Sequence, residues 1–375
     1  MRARRPDVVI VTSGHDVADA RLHREVAALL RVGLTVQVCG LGDVSGGPPG
    51  ADVHVRPRRA GMGRILTAVR AALQARGDVL ITLDPDAALA CASVARFRRS
   101  ALVVDVHEDY GRLLLDRGWA RGWKARAAQL GVRLATAAAA RADLTVVADD
   151  HVPPAAARQR LVVPNVPDAT MIPAGGAPAD APLRAVYVGD LRETRGLYDM
   201  VEAVAGAPDW SLDLVGPMSE ADGQWLARRL QEGTLAARVT WHDRLPPRAA
   251  WQVASRAQVG LSLLHPTPAF VAAMPSKVYE YLACGLAVLS SPLPRVVELL
   301  DESGAGEVVS SADAAAAVLT RWAGDRAELA RVQAGAAARG AVLRAAGNAY
   351  DGMARRVAEL AAVSARGRRA SGPRR

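Results

Sequence analysis

Aromatic side chains are scarce in this sequence, at 4% of 375 residues against 50% hydrophobic residues in all. Cores drawn mainly from Ala, Val and Leu are aliphatic and close-packed around small side chains, which suits helices stacked on parallel sheets. Cysteine is also sparse: Cys39, Cys91 and Cys284 are far apart and set among apolar residues. That spacing excludes a paired metal or redox motif and reads as buried thiols in a reducing compartment. No apolar run approaches the ~20 residues needed to span a bilayer. Met1 to Pro6 leads directly into Asp7-Val-Val-Ile-Val, without the charged-then-apolar pattern of an export signal, so the protein is expected in the cytosol. Zinc, P-loop and Ser/His/Asp signatures are missing and the seven histidines are dispersed, which leaves hydrolytic and metalloenzyme chemistry without support.

What is present is positive charge. The net charge is +9, and five arginines lie in the last ten residues, 366–375; the remainder carries only +4. A terminus of Arg, Gly, Ser and Pro cannot build a core, and reads either as a disordered solubilising tail or as an anchor on acidic lipid. Nucleic acid is not an expected partner, because the tail lacks the interleaved aromatic residues that such binding uses.

The length allows two domains. In the first half, short β-branched runs at Val8–Thr12, Thr35–Cys39, Val79–Leu83, Leu102–Val106, Leu144–Val147 and Val162–Pro164 alternate with helical stretches. One of these, Ala18–Val32, places Leu22, Val26, Leu29 and Leu30 at helical spacing and ends at Gly33. Residues 173–182 are too rich in Gly and Pro for a regular element and read as a linker. The alternation restarts with Arg184–Val188, Ser211–Val215, Val239–Trp241, Val259–Leu263, Ala287–Ser290 and Gly306–Val309. The expected fold is α/β, with two doubly wound parallel sheets facing a cleft. The expected division is an N-terminal domain over 1–172, a C-terminal domain over 183–345, a helix over 346–365 and a basic tail over 366–375. In such sheets ligands bind beyond the carboxyl ends of the strands.

The strongest chemical signal is Pro275-Ser-Lys-Val-Tyr-Glu-Tyr-Leu-Ala-Cys-Gly-Leu-Ala-Val288. A helix that starts at Pro275 and ends at Gly285 aims free N–H groups and a partial positive charge at whatever faces its first turn, where Lys277 adds a full charge. That suits a diphosphate. Glu280, one turn beyond Ser276, can accept two hydrogen bonds from the vicinal hydroxyls of a ribose. A second signal is Val186-Tyr-Val-Gly-Asp-Leu-Arg-Glu-Thr-Arg195, where Gly189 permits close backbone approach to phosphate and Arg192 and Arg195 follow.

This helix resembles the donor-site helix of glycosyltransferase family 4, and the resemblance extends over nearly the whole chain. It implies a GT-B fold, a nucleoside-diphosphate sugar as donor and a metal-independent, retaining transfer to an envelope glycan or lipid-linked acceptor, with no cofactor. The family usually carries two acidic residues eight positions apart, the second binding the nucleotide ribose. Here Glu280 matches the second, while the first falls at Ala272. Arg195 stands where the family has a Lys directed at the diphosphate. Leu102-Val-Val-Asp-Val-His-Glu-Asp109 resembles the motif whose histidine sits beside the reacting sugar, which marks His107 and its neighbour Glu108. The loop Ser13-Gly-His-Asp-Val-Ala-Asp-Ala-Arg21 resembles the family's N-domain loop, with Gly14 near the phosphates and Asp19 and Arg21 opening a helix on the acceptor side; Asp19 also suits a helix cap. Asp84-Pro-Asp86 has the form of a metal-binding Asp-x-Asp, but that belongs to a single-domain layout, so Asp84 and Asp86 read as acceptor-side residues.

Residues 112–141 hold seven basic residues against the single Asp116. Trp119, Arg121, Trp123 and Lys124 suit either an anionic membrane interface, at the inner face of the plasma membrane, or tryptophans packed under a solvated basic face. Two other functions stay open: a nucleotide-sugar epimerase of related architecture, and a nucleotide-sugar binder without turnover.

Overall fold

The computed structural model describes residues 5–115, 122–164, 166–168, 171–267, 270–271 and 274–370. Among them, the β-branched runs form thirteen strands, every pair of neighbours parallel. The chain divides into two units, Met1–Asn165 with Ala349–Arg375, and Val166–Asn348.

The first unit opens with β1 (Val8–Asp16), α1 (Ala20–Arg31), β2 (Val36–Leu41) and β3 (Asp52–Arg56). It continues with α2 (Met62–Gln74), β4 (Val79–Thr82), α3 (Pro85–Arg98), β5 (Ala101–Val106), α4 (Tyr110–Leu115) and α5 (Gly122–Ala140), and ends in β6 (Leu144–Val147) and β7 (Arg160–Val162). The seven strands lie in the order β3-β2-β1-β4-β5-β6-β7. Alternation along β1 sends Val8 and Ile10 into one core and Val9 and Val11 into the other, as the period of a strand requires. Strand β3 departs from the sequence reading, which placed no strand there: Asp52-Val-His-Val-Arg is a half-exposed edge with alternating polarity. Strand β7 lies slightly ahead of the expected Val162–Pro164.

The second unit contains β8 (Arg184–Val188), α6 (Leu197–Ala205), β9 (Ser211–Val215), α7 (Glu220–Leu230), β10 (Val239–Trp241), α8 (Pro247–Ala254) and β11 (Val259–Ser262). After these come α9 (Ser276–Ala283), β12 (Ala287–Ser290), α10 (Pro294–Ser303), β13 (Gly306–Val308), α11 (Ala312–Gly324) and α12 (Arg326–Ala345). Its strand order is β10-β9-β8-β11-β12-β13. The Pro- and Gly-rich residues 173–182, read above as a linker, lie within this unit. Gln258 donates to the carbonyls of Pro178 and Pro182 at 3.0 and 3.3 Å, and Ala177 N donates to Ala257 O at 3.0 Å.

The last helix, α13 (Ala349–Ala370), returns to the first unit, where Tyr350, Met353, Ala354 and Val357 are fully buried with Leu22, Val26 and Leu29 of α1. Of the basic tail, 371–375 lies outside the described residues. None of the described helices is long and apolar enough to cross a membrane.

Candidate functional site

Each sheet reverses its strand order once, between β1 and β4 in the first unit and between β8 and β11 in the second. Ligands of open parallel sheets bind outside the strand ends at such a point, and Gly189 follows β8 while Asp84 lies just beyond β4.

In the second unit β8 runs into Gly189, whose φ of 146° an L side chain rarely adopts. A methyl group there would lie 3.5 Å from Nζ of Lys277 and 3.3 Å from the Tyr187 hydroxyl. The same turn is pressed against the end of β9: a Cβ on Gly216 would fall 1.8 Å from the Gly189 carbonyl oxygen, so both positions require glycine. Helix α9 begins beside this turn. Pro275 is its N-cap rather than its first residue, and no side chain caps it, so the first N–H groups of the helix, with no intrahelical acceptor, remain for a ligand.

Lys277 is only 7% exposed, with its ammonium 4.7 Å from the Tyr187 ring centroid. Burial pushes its pKa down, Arg195 adds to that, and Tyr187 and Glu280 oppose it. Burying an ammonium is costly unless it is paired, and Tyr187 and Glu280 offset part of that cost. Glu280 is buried one turn along from Ser276. Arg192 pairs with Asp190, and the Arg195 guanidinium lies 5.6 Å from the Phe270 ring centroid with a buried Nε that has no hydrogen-bond partner among the described residues. His265, which the sequence reading passed over, follows β11; its Nε2 is 2.8 Å from Asp199 and its N–H donates to Thr194 O at 3.1 Å, fastening the arginine loop to the strand end. Ala272 lies outside the described residues.

In the first unit Asp84 is the hub. It accepts from Ser13 N at 2.9 Å and Gly14 N at 3.1 Å, takes the Thr12 hydroxyl, and meets Arg64 at 3.0 Å and His15 Nδ1 at 3.2 Å. Arg64 also reaches Asp86 at 3.1 Å. These contacts outweigh burial and hold the Asp84 carboxyl well below its ordinary range. Nε2 of His15 faces Nε2 of His107 at 3.1 Å. One proton must lie between those nitrogens. Burial alone lowers the His15 pKa, but its hydrogen bond to Asp84 and the charge of that carboxylate raise it to about 9. Burial and the neighbouring His15 charge both push His107 down. His15 is therefore the imidazolium that donates, and neutral His107 accepts at Nε2 and carries its own proton on Nδ1. That buried Nδ1 has no partner among the described residues.

Asp19 caps α1 by accepting from Arg21 N at 2.9 Å and Leu22 N at 3.2 Å. The Arg21 side chain turns inward: its guanidinium bridges both Asp105 oxygens, at 2.5 and 2.7 Å, and donates to the Tyr350 hydroxyl at 3.1 Å. Burial and the Asp105 charge push the adjacent Glu25 carboxyl well up. Glu108 is exposed at the end of β5, and Trp123 and Lys124 are exposed on α5. Trp119 and Arg121 lie outside the described residues. Among the described residues no three His, Cys, Asp or Glu side chains are grouped to hold a metal. Sequence reasoning missed His15, Arg64 and His265; His15 follows the expected strand Val8–Thr12 and lies at the end of β1, and His265 follows β11, which was the available signal.

The sucrose-phosphate synthase of Thermosynechococcus elongatus superposes with a TM-score of 0.66 at 18% identity, over 95% of this chain and 98% of that one. Anabaena HepE in complex with UDP and glucose gives 0.66 at 14% identity, over 95% and 99%. WaaG, a glycosyltransferase involved in lipopolysaccharide biosynthesis, gives 0.58 at 14% identity, over 88% and 94%. The fold is that of the GT-B glycosyltransferases. Residues 192–362 match the family model described as glycosyl transferase-like, a span that includes Arg192, Arg195, Lys277 and Glu280. No curated protein matches the sequence. The match covers less than half of the chain.

Proposed function

We propose that this protein transfers a glycosyl group from a nucleoside-diphosphate sugar to a hydroxyl of an envelope glycan or lipid-linked acceptor, with retention and without a metal. The observation that carries the reading is the buried Lys277 ammonium beside Gly189, at the N-terminus of α9 and at the switch point of the second sheet.

In this reading the diphosphate occupies the turn after β8, where Lys277, Arg192, Arg195 and the first N–H groups of α9 surround it, and Glu280 accepts from the ribose hydroxyls. The bond from the anomeric carbon to the diphosphate oxygen breaks and a bond to the acceptor oxygen forms. The negative charge left on the diphosphate meets the three cations and the helix dipole. The acceptor proton passes to the departing phosphate on the same face, which retains configuration and needs no protein base. His107 donates from Nδ1 to a sugar or acceptor oxygen, held in that tautomer by His15. Asp84, Asp86 and Glu108 belong to the acceptor side, whereas Asp19 and Arg21 support the loop from below.

UDP-glucose is the first donor to test, because HepE has been crystallised with it. Protein, donor panel and a membrane extract as acceptor source are incubated, and nucleoside diphosphate release is followed. Hydrogen bonds to charged groups contribute roughly 1.5–3 kcal/mol, so Glu280→Ala and Arg192→Ala are each expected to weaken donor binding about tenfold or more and to abolish extract-dependent release. Chelator is expected to leave release unchanged. Nucleotide binding with no release from any donor would replace this reading with a non-catalytic binder, and release of an epimerised nucleotide sugar without extract would replace it with an epimerase.

A further inference from the structure

The helices of the first unit fall into two layers of opposite character. On one face of the sheet, α1 and α13 bury large side chains, among them Leu22, Leu29, Tyr350 and Met353. On the other face, α2, α3 and α5 turn small residues inward: Ala68, Ala71 and Ala72 from α2, Ala87 and Ala88 from α3, Ala139 from α5. Most of their large apolar residues point outward, Val94 of α3 being the buried exception.

Helix α2 is the clearest case. Met62, Ile65, Leu66, Val69 and Leu73 are all exposed, Met62 at 71%, and their spacing of three, four, seven and eleven residues from Met62 puts them on one helical face. On α5, Trp123, Leu130 and Leu134 repeat the pattern, seven and eleven residues apart, with Trp123 74% exposed. Helix α3 packs against both α2 and α5 and contributes Phe97, 88% exposed. Of the sixteen large hydrophobic residues exposed among the described residues, ten lie on these three adjacent helices. Scattered single exposures are ordinary, but a continuous outward face of this kind marks an interaction surface.

Its charge identifies the occupant. The three helices contain one acidic residue, Asp86, which Arg64 already holds. Exposed cations are interspersed with the apolar side chains: Arg58 and Arg59 ahead of α2, Arg70 within it, Arg96 on α3, and Lys124, Arg126 and Arg133 on α5. A second copy of the same surface would meet like charge with like charge. An apolar face studded with cations over three neighbouring helices complements a surface that is negatively charged outside and apolar just beneath.

We infer that the α2–α3–α5 face of the first unit docks on an anionic lipid bilayer, with Met62, Ile65, Leu66 and Val69 at the level of the acyl boundary and the arginines on lipid phosphates. This goes beyond the transfer reaction and does not depend on it, since a protein without turnover would still bind. It also moves the centre of contact from the tryptophan segment to α2, where the apolar stripe is longest.

The test is co-sedimentation of the full chain with vesicles of phosphatidylcholine alone and of phosphatidylcholine mixed with phosphatidylglycerol. Each cation near an anionic surface contributes about 1 kcal/mol, so reversing two is expected to lower partitioning on mixed vesicles by at least about tenfold. The variants are Arg59→Glu with Arg70→Glu for the electrostatic part and Ile65→Glu with Leu66→Glu for the apolar part. All four side chains face solvent, so unfolding midpoints should match wild type. Wild-type binding that needs phosphatidylglycerol, falls with salt and is lost in both variants supports the inference. No binding to mixed vesicles, equal binding to neutral ones, or vesicle-independent dimerisation broken by Ile65→Glu with Leu66→Glu would overturn it.

Discussion

At the scale of single residues, the His15–His107 pair is the most informative feature. Two imidazole nitrogens 3.1 Å apart hold one proton between them, and Asp84 decides which ring is charged. The His15 pKa of about 9 lies above its ordinary 6.5, so the stabilisation it brings is fully present below about pH 6.5 and is lost as pH rises through about 9. The unfolding midpoint of the wild type is therefore expected to fall across that window, and His15→Asn, which removes the titration, is expected to flatten the fall. An identical high-pH decline in both proteins would show that other groups cause it. Arg21 illustrates a limit of motif reading. Its position after a strand-end loop suggested an acceptor contact, but its guanidinium spans the two oxygens of a buried Asp105, where it meets a charge that would otherwise be unpaired.

At the scale of elements, the turn after β8 depends on backbone approach. Gly189 and Gly216 come from different strands, and the Gly189 carbonyl occupies the place a Gly216 side chain would take. Gly216→Ala must displace the turn that lies over Lys277. It is expected to weaken nucleotide binding at least about tenfold, because a shift of even 1 Å at a positioned site costs of that order or more, while the second unit keeps its helical circular dichroism. Unchanged binding would show that the turn does not shape the site. Most strands were legible as short β-branched runs, since a strand buried on both faces shows no polar alternation. Strand β3 was not, because an edge strand of Asp, Val, His, Val and Arg carries a period of two with little apolar content.

At the scale of the whole molecule, the first unit is completed by residues far along the chain. Met353 and Val357 are fully buried in the same core as Val8 and Ile10. Met353→Ala is expected to destabilise this unit by about 2–5 kcal/mol, read as a lowered denaturation midpoint, with nucleotide binding by the second unit unaffected. A midpoint matching wild type would mean that α13 contributes nothing to the first core.

What the sequence determined by itself was the local and periodic part: two runs of alternating strands and helices, the Pro275 helix with Lys277 and Glu280, and a last amphipathic helix, whose Met353, Val357 and Leu360 recur at helical spacing. These were readable because helix starts, helix periods and buried strands are written in neighbouring residues. Only the tertiary structure decided which distant groups meet. That Asp84 charges His15, that Arg21 is absorbed by Asp105, and that α2 turns its large side chains outward all follow from how helices settle on the first sheet. Nothing in a local spacing states which face of a helix the rest of the chain will cover.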